Sequence, residues 1–506
     1  MSATSGMPVV LTADRTLIAS YAILFDGMLA ASQTSLVPAI LMDKLLMPPA
    51  PHNGPAASVA PLGLRRIEAA LLVGGMQRNE VIVADPAMLE QVIGSKTRII
   101  GISSGEPAGH GMNTSTMCEI LGGNIYPEKM FLQLVSAIKR LRLEAPQAKV
   151  ILGGPGAWQV AGDSDCRKAL GLDHVVLGYA EGNIAELFQA IIRGEKLPEV
   201  IIGEPVDASR VPCIRGASTM GVVEISRGCG LGCAFCTIRN TPMIHLPPET
   251  IEADVRTNIE AGQRSIAALS EDFFRYGAAG INAQPDTLIA LLERLRRIPD
   301  LKLIQIDHCN VISIAQYTDE QLSHVKQLLT KGQRHRYPWV NVGVETASGE
   351  LLKANGGGAK IGKDGTGRWP DLCREQMERL CAAGFFPMVS LVVGLPGETE
   401  EDAFKTLEWV RDIRRLRISV FPVLFAPVDG SRGIRACDMS PNHWRLMQTA
   451  YNLNFKWIPR MYWDNQTGAG VPLAKRLLLQ GMGNGQVAEW KTIMAYRLLR
   501  SKHAAR

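Results

Sequence analysis

The sequence predicts an α/β protein with two successive domains of alternating strands and helices, followed by a helical C-terminal part. Short β-branched runs alternate with amphipathic segments over residues 66–200, and a second alternating series begins near residue 221. Such alternation is typical of parallel sheets covered by helices. The sheet pattern stops near residue 440, where helical spacing takes over. We therefore divide the chain into an N-terminal segment and linker (1–65), an open doubly wound domain (66–205), a partial (β/α)6 barrel (215–435) and a helical C-terminal extension (436–506).

The doubly wound domain is predicted from three short apolar runs and two amphipathic segments. A stretch rich in Pro, Ala and Gly at residues 48–63 precedes it and is typical of a loop. The predicted strands lie at residues 97–104, 149–154 and 174–178. Residues 127–146 show helical spacing between two prolines, and a second helix-like segment at 183–194 follows the third strand.

The second series contains six predicted strands with amphipathic segments between them, which fits a partial β/α barrel. The strands lie at residues 221–226, 265–270, 301–307, 339–345, 386–394 and 417–424. In such barrels the chemistry lies on the loops that follow the carboxyl ends of the strands.

Composition narrows the class of protein. The chain of 506 residues carries a formal net charge of only +5. A nucleic-acid binder would concentrate basic residues on one face, so this charge does not indicate nucleic-acid binding. Ten scattered cysteines do not resemble the dense framework of a small secreted domain. The first residues lack a basic region followed by an apolar core, and the most apolar early stretch is too short to span a bilayer. We expect a cytoplasmic protein without nucleic-acid or membrane partners.

Three cysteines, Cys229, Cys233 and Cys236, lie within eight positions directly after the first strand of the second series. A structural zinc site normally uses four ligands, and Cys213 and Cys309 do not form a convincing second pair. A thioredoxin-type site uses two cysteines that open a helix. Three thiolates on a short loop with glycines can instead hold three irons of a [4Fe–4S] cluster. The fourth iron would then be open to a substrate.

The segment CGLGCAFC (229–236) resembles the CxxxCxxC signature of the radical S-adenosylmethionine enzymes. This resemblance implies that the open iron binds S-adenosylmethionine and that an electron from a low-potential donor cleaves it to a 5′-deoxyadenosyl radical. The segments ALSEDFFRYG, NVGVETASGELLKANG and SLVVGLPGETEED are similar to the family's later motifs. Together these segments imply an S-adenosylmethionine site formed by Phe235, Ser270, Glu271, Asp272, Glu345, Gly394, Leu395 and Pro396. Taken alone, a Gly-rich turn is only a turn, and a Glu after a strand is usually a helix cap.

Tyr276 and Cys309 lie near predicted strand ends. Either could face the substrate as a catalytic residue, although packing is the more common role for such side chains.

The domain before the barrel resembles the cobalamin-binding domain of one large subclass of this family. The resemblance lies in GISSGEPAGHG (101–111), VILGGPGAW (150–158) and VVLGYAEGNIAELF (175–188). It implies a cobalamin site formed by Ser103, Ser104, Gly105, Glu106, Gly153, Gly154, Pro155, Gly156, Gly178, Tyr179 and Glu181. Ligands of doubly wound sheets lie beyond the carboxyl ends of the strands, where small residues let a flat macrocycle approach. His110 is not part of a DxHxxG motif, so we expect no histidine on cobalt. A Rossmann-like domain that has lost its cofactor is the alternative.

These resemblances imply a cobalamin-dependent radical methyltransferase with three cofactors, a [4Fe–4S] cluster, S-adenosylmethionine and cobalamin. The methyl group would pass from methylcobalamin to an unactivated carbon. The overall layout is similar to that of methanogen enzymes that modify methyl-coenzyme M reductase, in particular the C-methyltransferase that acts on a glutamine of that reductase. This similarity implies a protein or peptide substrate.

Two other classes remain open. One is a radical cyclase or carbon–carbon bond-forming oxidoreductase that transfers no methyl group. The other is an iron–sulfur electron carrier, although a carrier normally saturates its cluster with four cysteines.

Overall fold

The computed structural model describes residues 5–52, 54–330, 337–429 and 431–504, without the side chains of residue 364 and residues 501–504. Its strands are β1 (Val9–Ala13), β2 (Val59–Ala60), β3 (Val81–Val83), β4 (Ile99–Ser103), β5 (Lys149–Gly153), β6 (His174–Leu177), β7 (Val200–Ile202), β8 (Ala217–Ser218), β9 (Val222–Glu224), β10 (Ser226–Arg227), β11 (Ile244–His245), β12 (Ser265–Leu269), β13 (Leu303–Ile306), β14 (His308–Asn310), β15 (Trp339–Glu345), β16 (Phe386–Val393) and β17 (Ser419–Leu424).

The α-helices are α1 (Leu24–Ser32), α2 (Ala39–Leu41), α3 (Leu62–Val73), α4 (Met112–Leu121), α5 (Tyr126–Leu141), α6 (Trp158–Ala161), α7 (Ser164–Leu170), α8 (Ile184–Ile192), α9 (Pro248–Glu260), α10 (Pro285–Leu295), α11 (Val311–Ile314), α12 (Asp319–Thr330), α13 (Gly349–Ala354), α14 (Gly358–Ile361), α15 (Trp369–Ala383), α16 (Glu400–Asp412), α17 (Pro441–Gly468) and α18 (Leu473–Ala504). Single 3₁₀ turns cover Leu89–Gln91, Ala208–Arg210, Thr219–Gly221, Phe273–Arg275, Gly362–Asp364, Thr366–Arg368 and Ile413–Arg415, and a π turn covers Met42–Leu46.

The first of two compact units comprises Met1–Thr114, Gly123–Val223 and Leu246–Gln263. It contains a six-stranded sheet in the order β3-β1-β4-β5-β6-β7, in which every pairing is parallel. Apolar clusters cover both faces of this sheet: Val9 and Leu11 of β1 belong to one cluster, and Val10 belongs to the other. The predicted doubly wound architecture is therefore confirmed, with its three predicted strands in place.

The structure differs from the sequence analysis at the N-terminus, because β1 lies inside the sheet although residues 1–65 were assigned to a segment and linker. The apolar run of β1 is short and is followed directly by Asp14 and Arg15, so its local pattern does not identify a strand. Pairing to β3 on one side and to β4 on the other determines its position, and all five of its residues are buried.

The second unit comprises Ser115–Gly122, Glu224–His245 and Arg264–Arg506. Each of the six predicted stretches contains a strand, and the first contains both β9 and the start of β10. The third contains β13 and ends just before a further strand, β14. The strand β13 pairs in parallel with β12, whereas β14 pairs in parallel with β15. The two sheets have the strand orders β13-β12-β9 and β14-β15-β16-β17. Asp307 occupies the break, and its carbonyl oxygen accepts a hydrogen bond of 2.8 Å from Asn341 N. The amphipathic segments predicted between the strands form the helices α9, α10, α12, α15 and α16.

The C-terminal extension is helical, as predicted. The side chain of Ser440 caps α17 by accepting from His443 N. Asn454 of α17 contacts the last barrel strand: its Oδ1 accepts from Val420 N at 2.8 Å, and its Nδ2 donates to Val420 O at 2.7 Å. The amide thereby supplies the hydrogen bonds that a further strand would make at this edge of the sheet.

Among the described helices, none is long and apolar enough to cross a membrane.

Candidate functional site

The three clustered cysteines lie on a tight loop after β9 and β10, at the carboxyl end of the first barrel strand. Gly228 has a φ of +71°, and a Cβ added there would lie 2.3 Å from Pro242 O, so only glycine fits this position. Cys229 N donates to Thr241 O at 3.2 Å, which closes the loop on its own return segment. Cys233 is buried, and the other two cysteines are half-buried.

The environment of the loop suits thiolate ligation. Burial raises the pKa of all three thiols, and the pKa of Cys229 reaches about 11. Without a metal these groups therefore hold their protons, and metal binding would release them. The donor set of three sulfurs on a half-buried loop fits a thiolate-ligated cluster. Within the described ranges, no group of three or more His, Cys, Asp or Glu side chains is arranged around the position of a single metal ion.

Asn355 joins the cysteine loop to two of the other predicted segments. Its carbonyl oxygen accepts from Ala234 N at 2.9 Å, and its Nδ2 donates to Pro396 O at 3.0 Å. A Cβ at the neighbouring Gly356 would lie 2.5 Å from Gly232 O, so the two backbones are in direct contact. The cysteine loop and the loops after β15 and β16 thus form one cluster of segments. Asn355 lies in the segment NVGVETASGELLKANG but was not predicted as a site residue, because an Asn in a Gly-rich turn is a common turn residue.

Glu345, predicted to contact S-adenosylmethionine, ends β15 with a φ of +67°, which is rare outside glycine. Its Oε1 lies 2.5 Å from Lys360 Nζ, and both side chains are buried. Lys360 also donates to Gly343 O at 3.1 Å. Burial lowers the pKa of Lys360, but the charge and hydrogen bond of Glu345, together with Cys233 and Cys229, outweigh burial and the net shift of the pKa is upward. Lys360 was not predicted, since a lysine in GGGAKIG is indistinguishable from a surface lysine.

The three residues after β12 have different surroundings. Ser270 Oγ shares a hydrogen bond of 2.5 Å with Ser226 Oγ. The carboxylate of Asp272 accepts from Ser313 Oγ at 2.5 Å and from Asn310 N at 3.2 Å, and burial raises its pKa. Glu271 has an exposed side chain. Of the three, Glu271 is the one whose side chain remains accessible to a ligand.

His308 begins β14 beside the break in the third strand, and its Nδ1 lies 2.9 Å from Asp307 Oδ2. Burial lowers the pKa of His308, but the charge and hydrogen bond of Asp307, together with Glu271 and Glu345, outweigh burial and raise the pKa to about 9. The imidazole is therefore a cation at neutral pH.

The remaining barrel candidates divide into accessible and packed residues. Gly394 N donates to Glu398 Oε2 at 2.5 Å, and Pro396 is exposed after the buried Leu395. Phe235 is 8% exposed.

The two candidate catalytic residues are buried. Tyr276 meets the ring of His245 edge-on at 5.6 Å, and burial raises the pKa of Cys309 well above its ordinary value. Cys309 thus stays a protonated thiol, and these surroundings favour packing for both residues.

In the doubly wound sheet, the predicted cobalamin residues follow β4, β5 and β6, next to the point where the strand order reverses between β1 and β4. Ser104 is fully buried, yet its Oγ has no hydrogen-bond partner in the described part of the chain. A Cβ at Gly105 or at Gly178 would meet no atom within 4 Å. A buried hydroxyl without a partner and two open glycines fit a bound flat group at this edge.

Other residues of this set shape the loops instead. A Cβ at Gly154 would lie 2.8 Å from Ser104 O, and one at Gly156 would lie 2.2 Å from Gly105 O. Both glycines therefore allow the loops after β4 and β5 to pack against each other. Glu106 turns back into its own loop, where it accepts from Gln159 Nε2 at 2.8 Å and from Gly111 N at 3.1 Å.

The rest of this set surrounds the same edge. Gly153 is half-buried at the end of β5 and Pro155 is exposed, while Tyr179 is exposed and Glu181 is half-buried after β6. His110 is exposed.

Asp14 follows β1 and therefore lies at the same reversal point, although it was not predicted. Its Oδ1 accepts from Thr16 N at 2.9 Å, whereas its buried Oδ2 has no partner among the described residues. Burial raises the pKa of Asp14 to about 6. In the sequence, Asp14 begins the polar segment DRT directly after an apolar run. This pattern indicates a residue at a strand end only once β1 is recognised as a strand.

With this geometry in view, comparisons with known proteins define the class. Residues 223–410, the part of the chain that contains the cysteine loop, match the family model of the Radical SAM superfamily. Among curated relatives, the tRNA-2-methylthio-N(6)-dimethylallyladenosine synthase of Rickettsia canadensis is 25% identical over 278 residues, which are 54% of this chain and 58% of the relative. The ribosomal protein uS12 methylthiotransferase RimO of Desulforamulus reducens is 27% identical over 238 residues, 46% and 48% of the two chains. The chain thus spans about half the length of these relatives.

A solved structure extends the likeness to the whole fold. The radical S-adenosylmethionine methyltransferase TsrM of Kitasatospora setae, solved with cobalamin and a [4Fe–4S] cluster, matches with a TM-score of 0.54 and 16% identity, over 82% of this chain and 75% of TsrM. A second TsrM structure contains its tryptophan substrate and an S-adenosylmethionine analogue. The likeness establishes a shared fold of doubly wound domain, radical SAM barrel and helical C-terminal part.

Proposed function

We propose that this protein is a cobalamin-dependent radical S-adenosylmethionine methyltransferase that methylates an unactivated carbon. The observation that carries the proposal is the loop of three thiols, which is bonded through Asn355 to the loops after β15 and β16. When bound, the cluster would supply an open iron for reductive cleavage of S-adenosylmethionine, and cobalamin would supply the methyl group. The solved neighbour that contains both groups supports this reading.

In the barrel, Cys229, Cys233 and Cys236 would hold the cluster, and Glu271 and Glu345 would face S-adenosylmethionine. Lys360 holds the carboxylate of Glu345 in one place, so a ligand would meet a preorganised group. Gly394, Leu395 and Pro396 would line the adenine, with Phe235 beside the cluster. Ser270 and Asp272 would act through the shape of the loop, because their polar atoms are already bonded within the protein.

In the doubly wound domain, Ser104 would donate its unpartnered hydroxyl to cobalamin, and Gly105 and Gly178 would let the macrocycle approach the backbone. The other residues of the predicted set, Ser103, Glu106, Gly153, Gly154, Pro155, Gly156, Tyr179 and Glu181, would form the surrounding wall. None of these side chains needs to act as a strong acid or base, since their task is to orient the group and exclude water.

For the methyl acceptor we propose a carbon of a protein or peptide side chain, with a glutamine of methyl-coenzyme M reductase as the specific candidate, in a cytoplasmic setting with a low-potential electron donor. One curated relative is named for a ribosomal protein, which supports a protein acceptor. A second candidate function, methylthio transfer, rests on the names of the curated relatives.

The test is anaerobic purification and reconstitution with iron, sulfide and cobalamin, followed by reaction with reductant, S-adenosylmethionine carrying a deuterated methyl group, and candidate peptides. We expect 5′-deoxyadenosine and a peptide in which one CD₃ group replaces one hydrogen, whereas methylthio transfer would replace one hydrogen with a CD₃S group. Cys233→Ala should abolish both products, and Cys437→Ala, which changes an exposed cysteine outside the loop, should not.

Two results would reject the proposal. Wild-type protein that binds zinc in place of iron could not carry out the reaction. A cluster whose electron paramagnetic resonance (EPR) spectrum does not respond to S-adenosylmethionine would lack the open iron. Radical cleavage without methyl transfer would instead indicate the cyclase or carbon–carbon coupling class.

A further inference from the structure

Arg275 is a buried arginine beside the cysteine loop, and it lies in the segment ALSEDFFRYG without being one of the predicted site residues. It ends the 3₁₀ turn after β12, and its side chain is only 3% exposed. Its Nη2 donates to Cys229 O at 2.9 Å, so it holds the backbone of a candidate cluster ligand.

The guanidinium of Arg275 is incompletely satisfied. It carries five N–H donors, but its buried Nε and Nη1 have no hydrogen-bond acceptor within the described ranges. The nearest carboxylate oxygen, Asp272 Oδ2, lies 3.7 Å from Nη1, which is beyond hydrogen-bond distance. That oxygen accepts from Ser313 Oγ instead. Asp272 thus balances the charge of Arg275 without accepting a hydrogen bond from it. Burying donors without acceptors is costly, so the arrangement calls for an additional hydrogen-bond acceptor next to Cys229.

We propose that Arg275 is a positioning residue for the cluster that fixes the Cys229 backbone and raises the cluster's reduction potential. Reduction adds one electron from the low-potential donor and makes the cluster more negative, and no bond to Arg275 forms or breaks. A nearby buried cation favours the more negative state, because cluster potentials follow local charge and hydrogen bonding. This inference rests on the cluster assigned in the proposed function.

The test compares Arg275→Met and Arg275→Lys with wild type, using full-length protein reconstituted with iron and sulfide. Arg296→Lys is the matched control, because Arg296 also donates to backbone carbonyls. Its partners are Leu328 and Leu329 in α12 and Leu301 just before β13, at the end of the strands opposite to the cysteine loop. The readouts are iron per chain and the midpoint potential from an EPR-monitored redox titration.

We expect Arg275→Met to lower the midpoint potential clearly, Arg275→Lys to lower it less, and Arg296→Lys to leave it unchanged. Loss of cluster loading in folded Arg275→Met, with recovery in Arg275→Lys, would also support the proposal. Equal loading and equal potential in all four proteins would overturn it. If both variants fold but neither loads a cluster, the role of the charge is overturned and only the backbone anchor remains. A wild-type protein without a [4Fe–4S] signal would instead reject the proposed function.

Discussion

The ion pair between Lys360 and Glu345 gives a prediction whose size follows from the geometry. The two charged atoms lie 2.5 Å apart, and the side chains are 7% and 10% exposed. Lys360→Met would leave the Glu345 carboxylate buried without its counter-charge. Removing one partner of a buried pair costs about 3–5 kcal/mol, so we expect a loss of that order in the unfolding free energy.

The assay is urea unfolding of the metal-free protein, followed by tryptophan fluorescence, to which the buried Trp369 beside Thr346 contributes. The loss should appear as a lower midpoint at unchanged slope. Arg411→Met is the control, since the Arg411–Glu408 pair is exposed and such pairs contribute about 0.2–1 kcal/mol.

The double variant Lys360→Met with Glu345→Gln removes both charges and should recover a large part of the loss. If Lys360→Met costs no more than Arg411→Met, the pair is not a buried ion pair in solution. If the double variant is less stable than Lys360→Met, the unpaired carboxylate is not the source of the loss.

Three further predictions concern other parts of the two units. Ser104→Ala removes a buried hydroxyl without a partner, so the apoprotein should not lose stability. The dissociation constant for cobalamin, measured by an absorbance titration, should rise about five- to tenfold. An unchanged dissociation constant would contradict a hydrogen bond from Ser104 to cobalamin. Gly228→Ala should prevent iron loading, because the added Cβ would clash with Pro242 O. Gly232 has a similar φ, but a Cβ added there would have no atom nearer than 3.7 Å, so Gly232→Ala should load part of its iron. Equal iron loading in the two variants would contradict this steric argument. The folded pKa of His308, about 9, lies above its ordinary 6.5, so its stabilising contribution is fully present below pH 6.5 and is lost as pH rises through 9. The thermal midpoint of wild type relative to His308→Gln should fall over that window, and a constant difference would refute the assignment.

Local patterns in the sequence were enough for most of the architecture and for the cysteine loop. Cys229, Cys233 and Cys236 are neighbours along the chain, so their spacing alone restricts what they can bind. Five barrel strands follow from apolar runs bounded by turns, but the split at Asp307 does not, since it depends on β13 and β14 pairing with different neighbours.

The rest of the site depends on contacts between residues distant in sequence. Asn355 and Lys360 belong to a glycine-rich turn with no distinctive pattern, and their importance comes from partners at Ala234, Pro396 and Glu345. Asp14 is informative only when β1 is known to lie beside β4. Such relations are absent from any window of a few residues, which is why sequence reasoning reached the cysteines and Glu345 but did not identify Asn355, Lys360 or Asp14.

The bond from Asn454 to β17 has a consequence for synthesis of the chain. The strand β17 is an edge of its sheet, and thirty residues separate Leu424 from Asn454. At about 5–20 residues per second, a ribosome needs roughly 2–6 s to make that interval. During this time Leu424 N can already bond Thr116 Oγ1, but the backbone of Val420 has no cover and can pair with another nascent chain. A truncated protein that ends before α17 would keep every loop of the candidate site and still be prone to aggregate.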